Sequence, residues 1–308
     1  MYLMNTYARA DVAFEKGHGA TLFDEKGLDY IDFTAGIGVN ALGYGHKKVT
    51  AALVKQAGKL LHTSNIYRIL PQEKLAKEIS KQLGYKCETF FCNSGAEANE
   101  CAIKLARKYG ATHFEKKKFE IISLGNSFHG RTLATLRATG QDKFHPDIFA
   151  PYIDGFKFFD TIEEVIENIS DRTVAVMIEL VQGEGGIKAL EKEAVKRLAK
   201  ILKKRELLLI TDEVQCGVYR TGEFVTSAFY GIKPDIITFA KGLGGGVGIG
   251  ACASRKTIFA PGDHGSTFGG NFLATATGLV TIKELKRLKK SGKLDEISAK
   301  FNENLEKL

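Results

Sequence analysis

From Glu88 onward, short apolar runs alternate with longer amphipathic stretches, and no other feature narrows the choice of fold so far. The runs at 88–92, 120–124, 174–180, 207–211 and 235–240 are too short for ordinary helices. Their near-continuous apolar character predicts strands covered on both faces. Between them, residues 96–109, 161–168 and 193–204 repeat their apolar positions at helical spacing. Such alternation predicts an α/β domain around a mostly parallel sheet, with any ligand beyond the carboxyl ends of the strands.

The flanks are simpler. Residues 19–33 predict a β-hairpin turning at Asp24-Glu25-Lys26-Gly27, and a glycine-rich stretch follows at 36–45. Helices are predicted at 49–61, after Pro71 as far as Leu83, and in one or two pieces over 279–308 with an interruption near Ser291-Gly292.

Composition removes several classes of function. With 308 residues, 44% hydrophobic and 26% charged, the chain has material for more than one domain and is not disordered in character. The net charge is +8, yet the basic clusters at 116–118, 203–205 and 286–290 lack interleaved aromatics. They read as solvated helix faces and not as a nucleic-acid surface, while a small anionic ligand stays compatible. The five cysteines are odd in number and form no C-x-x-C pair, which argues against a disulfide framework or a zinc site. No apolar stretch approaches the ~20 residues of a membrane span. Arg9, Asp11, Glu15 and Lys16 interrupt any signal-peptide pattern, so a cytoplasmic protein is expected.

The strand ends carry the chemistry. After the first comes Asn93-Ser94-Gly95-Ala96-Glu97, where Ser94 and Glu97 have capping-box spacing. Gly95 admits close approach to the backbone, and the first-turn N–H groups suit a phosphate; the plain alternative is an ordinary capped helix. The second strand end gives Phe128-His129-Gly130-Arg131. Phe128 is suited to cover a flat ring and Arg131 to clamp a carboxylate, and both rank above His129, since a lone histidine is more often structural. Glu184, in the loop after the third strand, either lines a pocket or simply pairs with a cation.

The fourth strand delivers Asp212 and Glu213, and a carboxylate after so apolar a run is costly unless paired. The fifth delivers Lys241 ahead of Gly242, Gly244, Gly245 and Gly246, a setting for a lowered pKa and Schiff-base chemistry. A phosphate cradle, a stacking aromatic, a carboxylate clamp, a buried aspartate and a lysine on one sheet edge match the needs of pyridoxal phosphate.

Five segments in order then carry a family resemblance: Asn93-Ser94-Gly95-Ala96-Glu97-Ala98, Phe128-His129-Gly130-Arg131-Thr132, Asp212-Glu213-Val214-Gln215, Ala240-Lys241-Gly242, and Gly265-Ser266-Thr267-Phe268-Gly269-Gly270-Asn271. They resemble the class III pyridoxal-phosphate-dependent aminotransferases of fold type I over nearly the whole chain. The resemblance implies a large domain with a seven-stranded, mostly parallel sheet at 61–275. It implies a smaller α+β domain begun by residues 1–60 and taken up again at 276–308. Relatives continue past Leu308, so that small domain is expected to be incomplete here. They also carry proline where Leu180 and Phe272 stand, and Phe-Pro at Val247-Gly248.

The resemblance further implies that Lys241 carries the cofactor covalently and moves the proton, and that Asp212 pairs with the ring nitrogen. Gln215 would bond the phenolic oxygen, Phe128 would stack, and Gly95 and Ala96 would hold the phosphate. Ser94, Glu213 and Val214 would complete the cofactor's surroundings. Thr267 would reach the cofactor phosphate of a partner subunit. Arg131, Glu184 and the partner's Ser266 would contact substrate. His62-Thr63-Ser64-Asn65-Ile66-Tyr67 and Gly262-Asp263-His264-Gly265 are most similar to family members acting on N2-acetylornithine, with 2-oxoglutarate as amine acceptor, in arginine biosynthesis. A tryptophan typical of ornithine-specific members is absent at His129. A homodimer with shared sites is expected.

Three other readings stand beside this one. The first is a sibling acting on ornithine, 4-aminobutyrate or succinylornithine, and the second a non-catalytic paralogue. The third, a nicotinamide enzyme, rests on Gly246-Val247-Gly248-Ile249-Gly250-Ala251, which runs on into a strand-like Ala251-Cys252-Ala253 and not a helix.

Overall fold

The computed structural model describes residues 2–256 and 258–307. A three-stranded antiparallel sheet comes first, from β1 (Phe14–His18), β2 (Thr21–Asp24) and β3 (Asp29–Ile31). The predicted hairpin is its β2–β3 arm. Asp24 ties that turn by accepting from the Lys26 and Leu28 N–H groups at 2.9 and 2.8 Å.

Next come a single distorted turn, α1 (Ala35–Gly38), then α2 (Lys47–Ala57) and α3 (Leu70–Leu83). Helix α2 stops short of its predicted end because Gly58 caps it. Pro71 opens α3, and Gly84 in the left-handed region closes it.

The large sheet follows. Its strands are β4 (Glu88–Cys92), β5 (Glu120–Leu124), β6 (Phe156–Phe159), β7 (Thr173–Ile178), β10 (Leu208–Asp212), β11 (Ile236–Phe239) and β12 (Gly250–Ser254). Their order is β4-β12-β11-β10-β7-β5-β6. The pairings of β10 with β7 and β11, and of β5 with β6 and β7, are parallel; β12 runs antiparallel to both neighbours. This is the seven-stranded, mostly parallel sheet that was expected. A short pair, β8 (Val181–Gln182) and β9 (Lys188–Ala189), lies beyond β7.

Both faces of the sheet are covered. On one, α4 (Gly95–Thr112) and α5 (Leu133–Ala138) enclose a core with Leu105, Tyr109, Met177 and Ile210. On the other, α6 (Ile162–Glu167), α7 (Lys192–Lys204) and α8 (Ser227–Tyr230) enclose Ile122, Val176, Leu198 and Leu209. Helix α7 shows why: Ala194, Val195, Leu198 and Leu202 are its buried stripe, and its lysines face out. A third core gathers Leu75, Ile79, Phe239, Ile282 and Leu285 where α3 meets α9 (Phe272–Lys290).

The last helix, α10 (Lys293–Leu305), follows a left-handed Gly292, so the interruption falls where the sequence predicted it; Leu308 lies outside the described residues. Among the described residues no helix is long and apolar enough to cross a membrane.

Candidate active site

The carboxyl ends of β4, β5, β10 and β11 converge on a cavity of about 470 Å³. Of the residues singled out in the sequence, Ser94, Gly95, Ala96, Phe128, Arg131, Glu184, Asp212, Val214, Gln215 and Lys241 all line it.

At the first strand end, Ser94 is extended and its Oγ accepts from the Glu97 N–H at 3.2 Å. The Glu97 carboxylate reaches one residue further back than a standard capping box, to the Asn93 N–H (2.7 Å) and Asn93 Nδ2 (2.9 Å). Among the described residues the N–H groups of Gly95 and Ala96 have no acceptor, so α4 points two free donors and its positive dipole end at the cavity. Gly95 is required by a close approach, since a Cβ there would sit 2.6 Å from Val214 Cγ1.

Asp212 is 3% exposed and fully engaged. Its Oδ2 accepts from Asn99 Nδ2 at 2.7 Å and meets His129 Nδ1 at 2.8 Å; its Oδ1 accepts from the Val214 N–H at 3.0 Å and from Thr238 Oγ1 at 3.4 Å. That set answers the cost of burying a carboxylate. His129 Nε2 is buried with no partner. Glu179 accepts from the Phe128 N–H at 2.9 Å, and burial pushes its carboxyl up to about 7.

Lys241 follows β11 with φ of +44°, in the left-handed region that a residue with a side chain adopts only under strain. Its Nζ is hydrogen-bonded to Gln215 Oε1. Burial pulls its amine below the ordinary lysine value, opposed by the charges of Asp212, Glu184 and Glu179. Arg131 stacks its guanidinium over Phe144 and Phe128, 4.4 and 5.7 Å from the ring centroids, and forms no ion pair among the described residues. The arrangement can hold a flat ring with an anionic tail, fix a charge at the ring's edge, and present an amine beside it.

Three expected residues lie elsewhere. Glu213 points away from the cavity: it is fully buried and accepts from the Thr226 and Ser227 N–H groups at 2.6 and 2.9 Å, which ties α8 to β10. Ser266 and Thr267 lie outside the cavity of this chain. Ser266 Oγ accepts from Asn93 Nδ2 at 3.2 Å, and Thr267 is exposed next to it. Conversely, Asn99, His129 and Glu179 line the cavity although the sequence reading left out Asn99 and Glu179 and ranked His129 low. A signal for Asn99 was available, because an amide on the otherwise apolar inner face of α4 requires a partner.

Comparison with known proteins gives consistent results. The family model Aminotransferase class-III matches residues 3–308. The acetylornithine aminotransferase of Wolinella succinogenes is 50% identical over all of this chain, which spans 78% of that protein. That of Methanocaldococcus jannaschii is 47% identical, again over the whole chain and 78% of the relative. Among solved structures, an ornithine aminotransferase from Toxoplasma gondii aligns with a TM-score of 0.90 at 31% identity, covering 99% of this chain and 74% of that one. The N-acetylornithine aminotransferase of Stenotrophomonas maltophilia aligns with a TM-score of 0.76 at 34% identity, over 97% of this chain and 77% of that one.

Proposed function

Because the chain belongs to the class-III aminotransferases, which depend on pyridoxal phosphate, we propose that it moves the δ-amino group of N2-acetylornithine to 2-oxoglutarate, giving N-acetylglutamate 5-semialdehyde and glutamate. The observation that carries this reading is the meeting of Lys241, Asp212, Phe128 and the start of α4 in one cavity. Identity of 43–50% to acetylornithine aminotransferases supports the choice of substrate.

Pyridoxal phosphate supplies an electron-withdrawing ring that accommodates negative charge on the substrate carbon bearing the amine. The residues do the rest. The free N–H groups of Gly95 and Ala96 hold the phosphate. Asp212, fixed by Asn99 and His129, would pair with the ring nitrogen. Phe128 and Val214 border the ring, and Gln215 bonds its phenolic oxygen. Lys241 Nζ would hold the cofactor covalently, and its amine is the group placed to move the proton at the substrate carbon. Burial of Lys241 favours the neutral amine, against the charges of Asp212, Glu184 and Glu179. Arg131 clamps the carboxylate of the substrate, and Glu184 adjusts the pocket between the two substrates.

A homodimer is part of the proposal. Ser266 and Thr267 lie on the surface with Ile66, Tyr67, Leu70 and Phe268, which are 55–81% exposed. A patch of that kind suits a second copy, whose cavity would receive the two hydroxyls. We further propose a cofactor-binding domain at 61–275, flanked by contributions to a smaller domain at 1–60 and 276–308, and a cytoplasmic place in arginine biosynthesis.

A second reading, transfer from ornithine itself, is favoured by the alignment to the Toxoplasma gondii ornithine aminotransferase. The test is glutamate formation from 2-oxoglutarate with N2-acetylornithine, ornithine, succinylornithine and 4-aminobutyrate in parallel. N2-acetylornithine should give the highest kcat/KM; a faster reaction with ornithine would overturn the assignment. Borohydride reduction and peptide mapping should place the cofactor on Lys241.

A further inference from the structure

Three carboxylates line the large cavity, and the reaction as set out above uses only Asp212 and Glu184. The third, Glu179, directly follows β7 and is 4% exposed. Burying a carboxyl is costly unless it finds hydrogen-bond partners. Here burial is opposed by His129 and by two backbone donors. Those donors belong to different segments. Glu179 Oε2 accepts from the Phe128 N–H at 2.9 Å, and Oε1 accepts from the Gly183 N–H at 3.4 Å. Among the described residues neither N–H has another acceptor. Phe128 lies in the segment after β5, and Gly183 and Glu184 lie in the turn between β8 and β9. One buried side chain bridges them.

The bridge leads further on each side. On one, the Phe128 ring lines the cavity edge-on to Phe144, with centroids 5.6 Å apart. On the other, Gly183 lies so close to Gln215 that a Cβ there would sit 2.1 Å from its Nε2. Gln215 Oε1 in turn accepts from Lys241 Nζ. A shift of Gly183 is therefore felt by the side chain that holds the amine. A second tie, Gln182 Nε2 donating to the Gly125 carbonyl at 2.8 Å, joins the same two segments outside the cavity. Replacing Glu179 thus loosens their alignment without parting them.

We propose that Glu179 is a positioning residue: with one oxygen on the Phe128 N–H and the other on the Gly183 N–H, it sets the spacing between the aromatic wall that faces the cofactor ring and the turn that carries Glu184. It acts through those two neighbours and takes no part in moving the proton. A glutamine in its place keeps one acceptor but turns amide hydrogens toward the other N–H, so it serves only in part. The proposal rests on the reading of Phe128 as the residue against the ring.

The test compares cofactor-loaded wild type, Glu179→Ala, Glu179→Gln, Phe128→Leu and the double variant Phe128→Leu/Glu179→Ala. The dissociation constant for pyridoxal phosphate and the circular dichroism band of the bound cofactor are measured on each. Two donors left without their acceptor should raise the constant about tenfold in Glu179→Ala and weaken the band, with Glu179→Gln in between. Because Glu179 acts through Phe128, its removal from Phe128→Leu should change the constant much less than its removal from wild type. A Glu179→Ala protein with a lowered Tm but unchanged cofactor affinity and band would overturn the proposal, and so would two effects that simply add. The nearly isosteric Glu179→Gln carries the comparison even if Glu179→Ala folds poorly. If Phe128→Leu alone leaves the affinity unchanged, the stacking reading fails and the proposal with it. A failure of Glu179 alone leaves the Phe128→Leu effect in place, so the two are told apart.

Discussion

On the floor of the large cavity, Asp212, His129 and Asn99 are 3%, 2% and 1% exposed and bonded to one another, whereas in α10 no residue is buried and Ile297, Phe301 and Leu305 are each more than half exposed. The first region is polar and sealed; the second carries an apolar stripe at helical spacing that stays in water. A sealed polar group has lost its hydration, so removing one partner strands the others at a cost of roughly 1–3 kcal/mol each. An exposed apolar side chain has little left to lose. Sensitivity to substitution should therefore follow the sealing of polar groups and not the count of apolar ones.

The largest expected effect is that of Lys241→Ala, which removes the half-buried amine that lines the same cavity. Loss of a group acting in proton transfer costs roughly 10²–10⁴-fold, and kcat should fall at least that far while the circular dichroism spectrum is kept. A loss below tenfold would take Lys241 out of the chemistry. Next is Asp212→Asn, which turns an acceptor into an amide facing the Asn99 and His129 donors. Activity should drop by about a hundredfold or more, and unfolding free energy by roughly 1–3 kcal/mol. If denaturation curves of mutant and parent overlay, the floor is less tightly sealed than its hydrogen bonds imply.

A smaller effect concerns pH. The Glu179 carboxyl is raised to about 7 by burial, so between its ordinary value of 4.5 and that value the native state holds a proton that the unfolded chain has released. Its contribution is therefore present at low pH and lost as pH rises through the folded value, at up to ~1.4 kcal/mol per pH unit. Urea unfolding of wild type and Glu179→Gln from pH 5 to 7 should show the mutant's stability falling less steeply. Parallel curves would put Glu179 outside this linkage. Smallest of all, Phe301→Ser in α10 should change stability by less than about 0.5 kcal/mol and leave kcat/KM unaltered. A change above 1 kcal/mol would break the contrast between the two regions.

The sequence made the scaffold legible where burial is two-sided. Residues 88–92 and 120–124 are strands to the residue, because apolar runs ending in polar or glycine residues leave no slack. Strand β6 escaped the sequence reading: it is four residues long, lies at the sheet edge and contains Lys157, which pairs with Glu120. The direction of β12 was equally hidden, since only its pairing with β11 and β4 reveals it. At the site, the need of Asp212 for partners was readable, but their identity was not. Asn99 and His129 stand 113 and 83 residues away in sequence and meet it only through the fold. Glu213 could have been separated from Asp212 on alternation alone, because neighbours at a strand end face opposite ways.

The reversal of β12 also sets how this gene can drift. Leaving β11 and entering β12 on the same edge, the chain makes its turn between Lys241 and Gly250, so tightly that a Cβ at Gly244 would sit 1.9 Å from the Val247 carbonyl. Ala251 and Ala253 face one core while Cys252 faces another. A codon gained or lost within β12 would therefore exchange those faces, sending the cysteine into the α3–α9 core and the alanines toward α4. Length there is inherited as a fixed number, and insertions among descendants should accumulate instead around the exposed turns at Gly27 and Gly262, where an added Cβ meets nothing.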